Sequence, residues 1–222
     1  LSKETITRVL AKYLPEKAVD VCAQWVVQYN IHVIITRTRA SKLGDYRPTK
    51  GRHAHQITIN HDLNPYSFLI TYVHEVAHLV AETTSRRRIA PHGREWKQEF
   101  ARLLDYFLKQ DIFPGDVVGA LTSYIQNPAA SSCSDHDLLR ALRRYDRKEM
   151  THVMHLEDLA RHTLFRLHAS RSGQLFQKGD RVRTRFHCIE VNSQREYYVS
   201  PLAEVVVHQL PGNSIRTKDT GT

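Results

Sequence analysis

Apolar residues recur at helical spacing over residues 3–13, through Ile6, Val9 and Leu10, and again over 16–29, through Ala18, Val21, Cys22, Trp25, Val26 and Tyr29. Both patterns predict helices with one buried face. Pro15 stands where a helix begins and separates the two. The stretch from Ile31 to Arg39 is rich in β-branched side chains and predicts a strand. Ser41 to His55 carries two glycines and a proline and reads as a turn or a long β-connection. His55 to Asn60 alternates as a second strand does. Residues 66–83 return to helical spacing, with Asn64 as cap and Pro65 in the first helical position. Arg94 to Gln110 predicts a further helix, with Trp96, Phe100, Leu103, Leu104 and Phe107 on its apolar side.

The order helix, helix, strand, strand, helix, helix makes an α+β unit over residues 1–110. Residues 111–149 read as a helical connector: an apolar helix around Val117 to Tyr124, then a basic helix for which Ser134 is the expected cap. From Thr151 the texture changes to short β-rich runs punctuated by Gly173, Gly179 and Pro201, which predicts a small all-β module over 150–210. Residues 211–222 carry no pattern and read as a loose tail.

Composition narrows the class. The balance of charged and apolar residues is that of a globular protein, and no apolar stretch is long enough to span a bilayer. The N-terminal residues lack the apolar core of a secretion signal, so the cytoplasm is the expected compartment. Three cysteines, Cys22, Cys133 and Cys188, cannot all pair, and are too few for a four-cysteine zinc ribbon. The net charge of +9 is concentrated in two basic regions that flank an acidic connector, which favours a polyanionic partner without naming one.

The strongest chemical signal is His74-Glu75-Val76-Ala77-His78. Residues four apart on a helix share a face, so His74 and His78 present two imidazoles to one metal ion, with Glu75 placed as general base. A catalytic zinc site takes three protein ligands and keeps one position open. His92, between a loop and the next helix, is the preferred third ligand, and Gly93 is expected to relieve crowding near the ion. Glu82 and Glu95 are rivals for that position, Glu95 being better suited to support a ligating imidazole from outside. Tyr46, His53 and His55 are candidates to stabilise the transition state, and His55–Asn60 is the expected edge strand for an extended peptide.

With these residues in place, the chain resembles the Spartan-related SprT-like family of zinc metallopeptidase domains. The resemblance rests on ITYVHEVAHLV followed by APHGREWKQEF, with the helices before them and the INHDLN segment, and covers about residues 1–110. It implies a zincin-like, minimal gluzincin core, one Zn2+ per chain on His74, His78 and His92, and Glu75 as the catalytic glutamate. It also implies, from the best-known relatives, proteolysis of proteins crosslinked to DNA. The chain departs from the family arrangement in which a cysteine-rich ribbon follows the core; its later portion is similar to members with a β-rich tail instead.

Several basic groups could meet nucleic acid or simply form solvated faces: Arg86, Arg87 and Arg88 beside the site; Arg140, Arg143, Arg144, Arg147 and Lys148 on the basic helix; and Arg181, Arg183 and Arg185 alternating along one presumed strand with Lys178 and Arg195 nearby. The expected function is a zinc endopeptidase acting on protein or peptide, with DNA as a candidate positioning partner. The alternative is a nucleic-acid-binding or structural adaptor that keeps the metal and turns over little peptide, and a third reading is a small-molecule amidase. No membrane partner is expected, and oligomeric state is not legible from the chain.

Overall fold

The computed structural model describes residues 2–39, 42–49, 55–85, 89–126, 128, 135–146, 154–168 and 173–208. The chain divides into two compact units, Leu1–Arg147 and Lys148–Thr222. The first is a mixed α/β core with flanking helices and the second is all β, an α+β architecture.

The first unit runs α1 (Lys3–Leu10), α2 (Glu16–Gln28), β1 (Ile31–Thr36), β2 (Gly44–Pro48), β3 (His55–Asn60), α3 (Pro65–Thr84), α4 (Arg94–Leu108), α5 (Gly115–Gln126) and α6 (His136–Arg143). Its sheet has the order β1-β3-β2, with β3 parallel to β1 and antiparallel to β2. The sequence pattern missed β2, because Gly44, Asp45, Arg47 and Pro48 are poor strand formers; the ladder offered by β3 makes this segment a strand. Two expectations change with it. His55–Asn60 is the central strand, not an edge, and the sheet edge next to α3 is β2.

Helix α3 is the hub. It packs on β2, β3 and α4, and Phe68, Leu69, Tyr72, Val73, Val76, Leu79 and Val80 bury themselves around it. A helix apolar on most sides is stable only when enclosed. Its start is fixed by Asn64, whose side-chain oxygen accepts from the backbone N–H groups of Tyr66 and Ser67. The amide nitrogen of Asn64 is shared among Ser67 Oγ, the carbonyl of Leu142 and a carboxylate oxygen of Asp146. One capping side chain therefore also anchors α6. Helices α5 and α6 belong to the first unit and contribute Val117, Leu121, Tyr124, Leu138, Ala141 and Leu142 to its core. Asp135 caps α6 by accepting from Leu138 N–H, in the role the sequence assigned to Ser134, which lies outside the described residues.

The second unit forms a six-stranded antiparallel sheet from β4 (Met154–His155), β5 (Leu164–Leu167), β6 (Phe176–Val182), β7 (Arg185–Glu190), β8 (Glu196–Val199) and β9 (Glu204–Val207), in the order β4-β9-β5-β6-β7-β8. Phe165, Phe176, Cys188 and Val205 make its core. Arg181 to Val191, read from sequence as one strand, is folded back as a hairpin at Arg183, whose φ of 55° lies in the left-handed region. An irregularity between Lys178 and Arg181 also breaks the expected alternation. Lys178 is buried, donating to the carbonyls of Glu157 and Leu159 beneath the Phe186 ring, so it belongs to the core and not to a basic row.

Candidate metal centre

His74 and His78 project from one face of α3, and His92 approaches from the turn that precedes α4. His92 adopts φ 56°, a left-handed conformation uncommon outside glycine. Gly93 follows as the residue before α4, and a Cβ there would lie 3.0 Å from the carbonyl oxygen of Ala90. The crowding that glycine relieves is thus within the turn and not beside the imidazoles.

The three Nε2 atoms converge, with separations of 3.1 Å for His74–His92, 3.2 Å for His74–His78 and 3.0 Å for His78–His92. Protons cannot satisfy all three edges of this triangle, because each nitrogen either donates or accepts. One cation satisfies them together. Tetrahedral zinc at its usual distance to imidazole nitrogen would separate the ligands by about 3.3 Å, close to the spacing found. Burial and mutual repulsion disfavour protonation, taking His74 down to about 3 and His78 to about 4, and burial lowers His92 as well. The set therefore offers three neutral lone pairs to one point: it can coordinate a metal ion.

Aromatic rings brace the triad. Trp96, fully buried on α4, lies 4.6 Å from the His74 ring, 5.3 Å from His78 and 4.7 Å from His92, centroid to centroid. Its indole N–H donates to the His74 carbonyl. Phe100 stacks behind Trp96. Sequence spacing marked Trp96 as a core residue only; its place two residues into the helix after His92-Gly93 was the one available signal.

Glu75 is buried, 6% exposed, and faces β2. Its carboxylate accepts from the backbone N–H of Tyr46 and is pushed up to about 8, first by burial and then by the charge of Asp45, against the opposing effects of the Tyr46 N–H, Lys42 and Arg39. The approach is close enough that a Cβ on Gly44 would sit 2.6 Å from Glu75 Oε1 and 2.7 Å from Thr71 Cγ2. Gly44 was read as a turn marker, yet it is what lets β2 close on the metal helix.

The other nominated residues divide. Tyr46 directs its hydroxyl to His55 Nδ1 at 3.1 Å and to the Glu82 carboxylate, while its ring lies parallel to that of His78. Glu82 is thereby engaged with Tyr46. No hydrogen bond joins Glu95 to the three imidazoles among the described residues; its carboxylate lies near Gly93. Arg140 and Arg144 form ion pairs with Asp137 and Asp116. Arg181, Arg183 and Arg185 are exposed around the hairpin tip, where Arg185 donates to the carbonyl of Tyr198. His53, Arg86, Arg87, Arg88, Arg147 and Lys148 lie outside the described residues. Cys22 and Cys188 are buried free thiols, and Cys133 lies outside the described residues. No described helix is long and apolar enough to cross a membrane.

No protein-family model, curated protein or solved structure matches this chain.

Proposed function

We propose that the protein is a zinc-dependent endopeptidase with a zincin-like core, in which Glu75 is the general base. The observation that carries this reading is the convergence of three neutral imidazoles on one point with a carboxylate on the adjacent position of the same helix. Zinc, bound by His74, His78 and His92, would acidify a water and polarise a carbonyl. Glu75 would take the proton from the attacking water and return it to the leaving amine. The burial that raises its pKa also lets it carry that proton between the two steps. An extended substrate would lie along β2, whose outer edge pairs with no strand among the described residues. The resemblance to the SprT-like family supports proteins bound or crosslinked to DNA as substrates, and the exposed Arg183 and Arg185 are compatible with a polyanionic partner.

A second reading, a metal-retaining binding or structural adaptor without turnover, is favoured by the enclosure of Glu75 beneath β2. It needs only the histidine set. Cleavage of an unfolded DNA-binding protein, with and without DNA, by wild type and Glu75→Gln separates the two. Cleavage lost in Glu75→Gln supports the peptidase, and DNA stimulation supports its positioning partner. Stoichiometric metal with no Glu75-dependent cleavage favours the adaptor.

A further inference from the structure

We propose that Tyr46, with its hydroxyl held by His55 and Glu82, is a positioning residue for the metal centre, fixing both the imidazole of His78 and the height of β2 above α3. This rests on the reading of the triad as a metal site, and not on turnover.

One residue meets three positions of α3. The backbone N–H of Tyr46 faces Glu75, its ring lies 6.5 Å from that of His78 with the planes 4° apart, and its hydroxyl faces the Glu82 carboxylate. Positions 75, 78 and 82 share one helical face, so a residue lying along that face meets all three. Thr71, one turn earlier on the same face, meets Gly44. The edge strand is therefore clasped to the metal helix from Thr71 to Glu82.

The clasp bears on the ligands because a histidine ring turns easily about its second side-chain torsion, where the energy profile is broad. Swivelling would carry Nε2 of His78 away from the point shared with His74 and His92. Tyr46 and Trp96 both stack against this ring and restrict the swing. Glu82 sits in the last turn of α3, where the helix dipole disfavours a carboxylate. The phenol hydroxyl beside it offsets that placement and, with His55 on the neighbouring strand, keeps the Tyr46 ring over His78. Since the hydroxyl is committed to these two partners, Tyr46 acts through His78 and not as a direct donor to a reacting carbonyl.

The test uses the full chain, stripped of metal and titrated with zinc in competition with a chromophoric chelator, and with cobalt(II) followed by its visible absorption. Tyr46→Leu, which removes the ring, should weaken zinc binding roughly tenfold and alter the cobalt spectrum. Tyr46→Phe keeps the ring and should restore the spectrum, with affinity within about threefold of wild type. Tyr106→Leu, on an exposed face of α4, should change neither. Should Tyr46→Leu fail to fold, Tyr46→Met carries the test, since it fills more of the space but still has no ring to lay against His78; it should match the result expected of Tyr46→Leu. Wild-type zinc affinity and cobalt spectrum in folded Tyr46→Leu, or in Tyr46→Met where that variant replaces it, would overturn the proposal, even with a lowered melting temperature. Failure of the wild type to bind either metal would instead overturn the reading of the triad.

Discussion

Replacing Gly44 by alanine tests how β2 is seated on α3. The added Cβ would lie 2.6 Å from Glu75 Oε1, 2.7 Å from Thr71 Cγ2 and 3.0 Å from Glu75 Cγ, all at or below the shortest separations carbon tolerates. Gly44 does not need a left-handed backbone, so the substitution acts by volume alone. Restoring ordinary contact requires the strand and the helix to part by about 1 Å, and overpacking of this kind costs about 1–3 kcal/mol. The separation also pulls the Tyr46 N–H from the Glu75 carboxylate. His74 and His92, held by α3, Trp96 and the turn at His92, stay where they are, while His78 keeps Trp96 and loses part of its contact with Tyr46. Gly44→Ala should therefore lose about 1–3 kcal/mol in urea unfolding while zinc affinity stays within about tenfold of wild type. If Glu75 is the base, turnover should fall by about 100-fold, since displacement by an ångström is enough to spoil such geometry. A double-mutant cycle with Glu75→Ala, which removes most of the opposing atoms, identifies the cause: the penalty should shrink in that background. A Gly44→Ala protein as stable as wild type, or one penalised equally beside Glu75→Ala, would show that contact with Glu75 does not set the seating of β2 on α3.

Two further expectations follow from the same core. In the metal-free protein, His74 and His78 fall from 6.5 to about 3 and about 4, so the fold is weakened as pH drops below 6.5; Glu75 rises from 4.5 to about 8, so its contribution is present below 4.5 and is lost as pH rises toward 8. Apo melting temperature should peak near pH 6.5, and Glu75→Gln should flatten the alkaline side; a wild-type apo profile still rising from pH 6.5 to 8 would contradict these assignments. Asn64→Ala should destabilise the first unit by roughly 1–3 kcal/mol in urea unfolding, because it removes the α3 cap and the side-chain bonds to the Leu142 carbonyl and the Asp146 carboxylate; a loss below about 0.5 kcal/mol would mean that the link to α6 does not bear on stability.

The histidine pair and its glutamate were legible because helical periodicity alone decides which side chains share a face. Asn64 was legible as a cap for a similarly local reason, though its bonds to Leu142 and Asp146, remote in sequence, were not. Strand β2 was hidden because its pairing comes from β3, and a segment of glycine, aspartate, arginine and proline carries little strand preference of its own. The same non-local pairing displaced the expected edge from β3 to β2. The hairpin at Arg183 escaped notice for want of glycine, proline or asparagine, the residues that usually declare a turn. Lys178 read as a surface charge because nothing in a sequence reveals two carbonyls and an aromatic face waiting in a core. Trp96 had the periodicity of an ordinary core residue, and only the meeting of α3 and α4 places it against the imidazoles.

Whether His74, His78 and His92 hold one metal ion decides the rest. Elemental analysis of the purified full chain, after exposure to zinc and removal of the excess, answers this when wild type is run beside Glu75→Gln and a His74→Ala, His78→Ala double variant. About one zinc per chain is expected for wild type and for Glu75→Gln, and almost none for the folded double variant, as a site with three imidazole ligands requires. Zinc absent from the wild type, or retained in full without the two histidines, would show that these imidazoles do not form a metal site.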